Sequence, residues 1–453
     1  MIALDGATLE GGGQLVRVAL ALSAIRCIPI RIENIRAGRA SRNAVGGLKE
    51  SHLAALNWLA DACRAKLSDV AVGSQSFTFR PLMRRAQTIV NLPAKSTIEL
   101  KKPGSVWLIL QAILPFIVFS TNLPLLELTI KGGTNVSSSM SGEYVQQVLI
   151  PTLDRLGLPK IEVAIPRRGW ADGIDGVGEA SIRVSRPTAT AFRLSSFDLV
   201  ERGDITSLSV TILAHSRSFA DAIFSAIGRT LAAYALLDNP LPTPSLNFKQ
   251  SGSSSRTYVL IVAHTSEGYR LGRDVLYGRK VKNVGVEAAL AETIANDVVR
   301  QIAREVHSGS CVDEYMEDQL VIWQALATGG SRVDSSSAGQ EANSEDSSVQ
   351  SAPQVLGHRN SKHSVKQRKA GAKGKSKPGN SNERDVSERM ANLDIGGQED
   401  SSDMNGDNGG SLHTRTVRWV CEQMLGDVGV KFTPGGRCTG LPETGSGAKI
   451  EDD

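Results

Sequence analysis

Residues 2–25 read Ile2-Ala-Leu-Asp5-Gly-Ala-Thr-Leu-Glu10-Gly-Gly-Gly-Gln14-Leu-Val-Arg17-Val-Ala-Leu-Ala-Leu22-Ser-Ala-Ile25. The apolar run Ile2 to Leu4 predicts a strand. From Gln14 onward, Leu15, Val18, Leu22 and Ile25 recur at helical spacing and predict a helix, with Gln14 and Arg17 on another face. Three consecutive glycines join the two. Such a turn lets backbone N–H groups approach an anion at the positive end of a helix, and Arg17 adds charge in the first turn. The stretch is neither a Walker A loop, which needs Gly-Lys-Ser/Thr, nor a G-x-G-x-x-G fingerprint. A tight turn beside a surface arginine also fits these residues.

The same rhythm spreads outward. A strand is expected at Ile28 to Ile35, then a loop rich in Gly and Arg, then a helix from Ser51, capped by its own hydroxyl, to Ala65. Gly104-Ser105 precedes a helical pattern holding Gln111, and Gly132-Gly133 precedes another from Glu143 to Leu156. Strand, glycine turn and helix in tandem indicate an α/β (α+β) protein with internal repetition. The character changes at about residues 185–284, read as a smaller inserted α/β domain. Helical patterns follow at Val286 to Val306 and Asp313 to Ala327. The main domain is thus expected in three parts, residues 1–184, 285–328 and 411–440, with a flexible tail at 441–453.

Residues 329–410 differ from all of this. They collapse to Ser, Gly, Asn, Gln, Lys and Asp, too apolar-poor to offset the entropy of ordering, and are read as a disordered insertion. Within them, His358 to Lys377 holds eight Lys or Arg and no acid. That run suits a solvated tether, or nuclear targeting or RNA tethering. Beyond it, Val417, Val420, Cys421 and Met424 predict a helix to Leu425, and Val428 to Phe432 a strand.

Composition narrows the class. Over 453 residues, 51 basic against 47 acidic side chains leave a net charge of +4, too little for bulk field alone to define a nucleic-acid binder. The five cysteines show no close pairing, pointing to a reducing compartment without a disulfide frame or zinc cage. The most apolar run, Val106 to Phe119, carries Gln111 and Pro115 and falls short of the roughly 20 residues needed to span a bilayer.

Three further islands carry chemistry. Arg36, Arg39 and Arg42 place three guanidinium forks in seven residues, with Lys49 and His52 soon after, which suits phosphate oxygens or a solvated basic loop equally. Asp313 to Gln319 opens a helix whose Tyr315, Asp318 and Gln319 share a face; these could hold a base and ribose or a metal, and acids there also simply complement the helix dipole. Leu412-His413-Thr414 puts a histidine in the first turn of a helix, whose positive end favours a neutral, nucleophilic imidazole and attracts an anion. A lone histidine is more often structural.

In order along the chain, Leu4-Asp-Gly-Ala7 with Glu10-Gly-Gly-Gly-Gln14 and Arg17, Ile35-Arg-Ala-Gly-Arg39, Gly47-Leu48 with His52, Gly132-Gly-Thr134, Glu201-Arg-Gly203, Gly309 with Cys311-Val-Asp-Glu-Tyr315 and Asp318-Gln-Leu320, and Leu412-His-Thr414 resemble the RNA 3'-terminal phosphate cyclase family. The resemblance covers nearly all the chain outside the insertion and tail. It implies a main domain of repeated βαβαββ units with a smaller inserted α/β domain. It also implies ATP-dependent conversion of an RNA 3'-phosphate end to a 2',3'-cyclic phosphate. His413 matches the histidine that becomes adenylylated. Gln14, Arg17, Arg39, Arg42, His52 and Gln111 match phosphate or active-site positions, and Tyr315, Asp318 and Gln319 match positions lining the nucleotide pocket. Glu10 would help hold a divalent metal, Mg or Mn. The implied partners are ATP and RNA with a 3'-phosphate, with no membrane; the implied location is the nucleus, otherwise the cytoplasm.

The sequence also departs from the family pattern. The loop Ala40 to Gly46 is longer, Ser51 replaces a glutamine, Met140-Ser141 replaces a proline pair, and Gly176-Val-Gly178 loosens a glycine run. A cyclase-like branch that lacks the histidine and serves ribosome assembly is the alternative, and a carboxyvinyl transferase shares the repeat architecture. Retained His413, Asp318 and the arginine loop favour the cyclase.

Overall fold

The structure, a computed structural model, describes residues 1–37, 46–82, 92–120, 123–171, 176–185, 192–235, 241–278, 284–334 and 410–443. Its first unit runs β1 (Ile2–Asp5), α1 (Gly13–Arg26), β2 (Ile30–Glu33), α2 (Glu50–Cys63), β3 (Lys66–Ser68) and β4 (Phe77–Arg80). β1 pairs parallel with β2, which pairs antiparallel with β4, with β3 at the edge. The second unit repeats that topology: β5 (Lys95–Glu99), α3 (Val106–Ser120), β6 (Leu125–Gly132), a helical segment α4, β7 (Lys160–Arg167) and β8 (Gly178–Ser185), in the order β5-β6-β8-β7. Segment α4 consists of Gly142–Tyr144, a π-helical turn Val145–Leu149, and Ile150–Arg155.

A third unit with the same strand order is split along the chain. After β9 (Leu194–Ser195) comes β10 (Asp198–Leu199), and the chain leaves the unit to form β11 (Ile205–Ala214), α5 (Arg217–Ala235), β12 (Ser245–Gln250), β13 (Thr257–Thr265), β14 (Arg270–Tyr277) and α6 (Val284–His307). It returns through α7 (Glu314–Leu326), β15 (Ala327–Thr328), β16 (Ser331–Val333), α8 (Leu412–Leu425), β17 (Phe432–Thr433) and β18 (Arg437–Cys438), pairing as β10-β16-β18-β17. The excursion forms its own sheet, β12-β11-β13-β14, with a separate core. Helix α6 belongs to that core through Leu290, Ile294, Val298 and Ile302, so the 284/285 boundary read from the sequence falls at the start of a helix that packs with the inserted sheet.

Local differences from the sequence reading have physical causes. Helix α1 buries every residue from Gln14 to Ala24, because it is central and packs against α2, α3 and α8. Helix α2 starts after Lys49, whose N–H donates to His52 Nδ1 at 3.2 Å, so His52 satisfies the helix start expected of Ser51. The expected strand at Val428 to Phe432 is a 3-10 turn, Gly426–Val428, followed by β17. The low-complexity reading began too early: Ser331 and Arg332 pair with β18, and Val333 is 3% exposed, so β16 belongs to the fold. No helix among the described residues is long and apolar enough to cross a membrane.

Candidate active site

The glycine turn after β1 and the start of α8 meet. Gly11 adopts φ +59°, which glycine alone enters without strain, and this carries Glu10 back over the start of α1. The Glu10 N–H donates to Thr416 Oγ1 at 3.3 Å; the Thr416 hydroxyl itself donates to the Leu412 carbonyl at 2.7 Å, tying the turn to α8. Ser411 caps α8 by accepting from the Thr414 N–H at 3.2 Å, which fixes His413 in the first turn.

His413 Nδ1 lies 2.5 Å from Glu10 Oε2 and 3.1 Å from Gln14 Oε1. Both partners are acceptors. The hydrogen-bond network therefore assigns the proton to Nδ1 and leaves the lone pair on Nε2. The side chain is 55% exposed while Glu10 is 9% exposed, so the ring is held from below and open above.

The orientation of Gln14 is itself fixed. Its Nε2 donates to Asp318 Oδ2 at 2.6 Å, and Gln319 Nε2 donates to Asp318 Oδ1 at 2.6 Å. Gln111 Nε2 donates to Gln319 Oε1 at 2.9 Å, and Arg17 Nε donates to Gln111 Oε1 at 2.6 Å. One continuous chain of donors and acceptors thus joins Arg17 to His413 across four helices. Burial pushes the Asp318 carboxyl up from the usual carboxylate range, against the Gln319 and Gln14 hydrogen bonds and the nearby charge of Arg17.

Arg17 is 9% exposed, and burial lowers it to about 10, low for a guanidinium yet still charged at neutral pH. His52 is 3% exposed and lowered to about 3, by burial first and then by the charges of Arg17, Arg36 and Lys49. It is a neutral ring. Since Nδ1 accepts from Lys49, Nε2 carries the hydrogen, and it points at the first residue of α1: a Cβ on Gly13 would stand 2.4 Å from it. The α1 start receives no side-chain cap.

Glu10, Gln14, Arg17, His52, Gln111, Asp318, Gln319 and His413 are therefore brought together. Tyr315 sits one helical turn before Asp318, 39% exposed, and contacts Arg273 and Tyr144 rather than the amide chain. Arg39 and Arg42 lie outside the described residues. One participant, Thr416, escaped the sequence reading and was visible only as the i+3 neighbour of His413. Arg36, read with Arg39 and Arg42 as suited to phosphate oxygens or a solvated basic loop, is 9% exposed and close enough to depress both Arg17 and His52. A narrow cleft, partly open to solvent, runs between α1, α3, α4 and α7; Gln111, Asp318 and Gln319 form its polar end, and Trp107, Met140 and Trp323 part of its apolar wall.

Among the described residues no cluster of three or more His, Cys, Asp or Glu could cage a metal. The donor set fits only an ion that brings most of its ligands from phosphates and water, with Glu10 the acid nearest the histidine.

Fold and site together define a mixed α/β protein in which the uncapped start of α1 meets a half-exposed imidazole backed by a carboxylate. The chain belongs to the RNA 3'-terminal phosphate cyclase family, whose family model matches residues 8–350. Among its relatives, the RNA 3'-terminal phosphate cyclase of Desulfurococcus amylolyticus is 31% identical over 349 residues, covering 74% of this chain and 87% of that protein. The probable RNA 3'-terminal phosphate cyclase of Dictyostelium discoideum is 26% identical over 333 residues, covering 73% and 71%. The matched range ends before α8, so the place of His413 rests on the geometry above.

Proposed function

We propose that this protein is an ATP-dependent RNA 3'-terminal phosphate cyclase that works through an adenylylated His413. The observation that carries the reading is the pair of acceptors on Nδ1, Glu10 at 2.5 Å and Gln14 at 3.1 Å, which aims an unprotonated Nε2 outward. In the first step Nε2 attacks the α-phosphorus of ATP, a P–N bond forms, and the P–O bond to pyrophosphate breaks. Glu10 stabilises the positive charge that develops on the ring, as a carboxylate does behind any imidazole that gains charge. Arg17, with Arg39 and Arg42 of the loop, would bind phosphates of ATP or the RNA end, and the α1 start offers its amides to the same anion. Glu10 would help hold a divalent ion, Mg or Mn, which would supply charge neutralisation.

In the second step an oxygen of the RNA 3'-phosphate attacks the AMP phosphorus and displaces Nε2. The terminal phosphate now carries AMP as a leaving group, so the neighbouring 2'-hydroxyl can attack it, lose its proton, and expel AMP as the 2',3'-cyclic phosphate forms. Tyr315, Asp318 and Gln319 would receive the base and ribose. Nuclear residence is proposed from the family and from the basic run ending at Lys377.

The test is incubation with ATP labelled on the α-phosphate, followed by a search for acid-labile label on the protein, then by addition of RNA with a 3'-phosphate. Label that His413→Ala abolishes, and that chases into cyclic-ended RNA, is expected. Absence of label, or label surviving the substitution, would favour the non-catalytic assembly-factor reading instead.

A further inference from the structure

We propose that Arg273, carried by the inserted sheet, is a positioning residue for the nucleotide pocket: it sets the Tyr315 ring against which the base of ATP stacks. This rests on the proposed reading of Tyr315. The Arg273 guanidinium lies over the Tyr315 ring, 4.3 Å from its centroid. Its fork is held on other sides by acids: Nε donates to Glu305 Oε1 at 2.8 Å, and Nη2 contacts that same oxygen and Glu314 Oε2, the latter at 2.5 Å. Arg273 is 7% exposed. Glu305 comes from α6 and Glu314 from α7, so the plane of the fork is fixed by two elements. Burial works against the charge, and Glu305, Tyr315 and Asp313 outweigh it and raise the pKa.

The ring is constrained from two directions. Tyr144 meets it edge-on with centroids 6.0 Å apart. The strand that carries Arg273 also grips the start of α7 directly, since the Gly272 N–H donates to Asp313 Oδ2 at 2.7 Å while Asp313 caps the helix at Met316. Tyr144 donates its hydroxyl to the other Asp313 oxygen at 2.7 Å. Tyr315 still leaves 39% of its surface to solvent, on the helix face that also bears Asp318 and Gln319. A cation over one side of a ring fixes its tilt and leaves the remaining surface as a platform. A planar guanidinium does this through stacking as well as charge; an ammonium does not. The inserted sheet would thus reach the nucleotide without touching it.

The experiment compares adenylylation kinetics with labelled ATP in the wild type, Tyr315→Ala, Arg273→Lys and the double variant. Arg273→Lys keeps the charge between Glu305 and Glu314. We expect it to raise the KM for ATP by roughly 3- to 30-fold with kcat nearly unchanged, and the double variant to be no worse than Tyr315→Ala alone. An unchanged KM in Arg273→Lys, a fall in kcat in its place, or additive losses in the double variant would overturn the positioning role while Tyr315→Ala still raises KM. Should Tyr315→Ala itself leave KM unchanged, the reading of the pocket fails, and the proposal with it. Should Arg273→Lys melt below the assay temperature, Arg273→Met combined with Glu305→Gln removes charge from both sides and is judged by the same criteria.

Discussion

Replacing Gly13 by alanine tests whether His52 and Arg17 are packed on the start of α1 as tightly as their geometry indicates. The added Cβ would meet His52 Nε2 at 2.4 Å, His52 Cε1 at 2.8 Å and Arg17 Nη1 at 3.0 Å. An ordinary carbon–nitrogen contact is about 3.5 Å, so the ring must retreat by about 1 Å. His52 has nowhere to go, being 3% exposed. Its withdrawal strains the Lys49 N–H bond, worth ~1 kcal/mol, and overpacking of this kind costs ~1–3 kcal/mol. The better helix propensity of alanine offsets at most ~1 kcal/mol. The net expectation is a loss of about 2 kcal/mol, a fall of a few degrees in Tm. Displacing Arg17 from Gln111 should also slow adenylylation by about 10- to 100-fold, since each ~1.4 kcal/mol is tenfold. Thermal melting and the labelling assay would be run on Gly13→Ala, His52→Ala and the double variant. If the ring is the obstacle, the stability cost of Gly13→Ala largely disappears in the His52→Ala background. An equal cost in both backgrounds would refute the packing argument.

Protonation of His52 supplies a second check. Its folded pKa of about 3 lies below the unfolded value near 6.5, so the unfolded chain binds the proton first and stability contributed by the neutral ring is lost as pH falls from 6.5 toward 3. About 3 kcal/mol should go between pH 6.5 and 4, and His52→Asn should flatten that limb of the pH–stability curve; a superimposable curve would contradict it. Removal of residues 346–407, joined by a short Gly/Ser linker, should leave adenylylation within severalfold as read by the same label, since it spares β16, α8 and every residue of the amide chain. Complete loss would make the segment part of the site.

The sequence carried the local pieces and left their meeting hidden. The turn at Gly11 to Gly13, the start of α7 and the histidine of α8 were each visible from residue type and spacing. Nothing local relates Glu10 to His413, 403 positions apart, because their contact depends on α1 packing against α8. Periodicity misjudged α1 for the same cause: a helix surrounded by three others buries Gln14 and Arg17 together with its leucines, and no amphipathic stripe reports that. Strand β16 was lost in the low-complexity reading because three residues between a glycine pair and a serine run give no alternation to detect; pairing with β10 and β18 creates it. Arg273 belongs to no motif. Its partners are set by the inserted sheet reaching the start of α7, a tertiary fact.

The repeated topology sets one helix start apart from its counterparts. Each unit presents two helix starts, and in most of them a side chain occupies the amides: Ser105 accepts from Trp107 and Leu108 in α3, Ser141 from Tyr144 in α4, Asp313 from Met316 in α7, and Ser411 from Thr414 in α8. A capped start satisfies its own donors and has less to offer a phosphate. At the position where the second unit has Ser105 and the third Asp313, the first unit has Gly12, and α1 receives no side-chain cap. The uncapped start costs helix stability that burial on all sides of α1 offsets. It also lies between two helix starts that carry histidines, with His52 of α2 against Gly13 and His413 of α8 against Glu10 and Gln14. Glycine at residue 12 and a serine cap just before His413 are therefore two halves of one arrangement: the first leaves room for the Glu10 carboxylate, whose Oε1 would stand 2.7 Å from a Cβ there, and the second fixes the imidazole that meets that carboxylate.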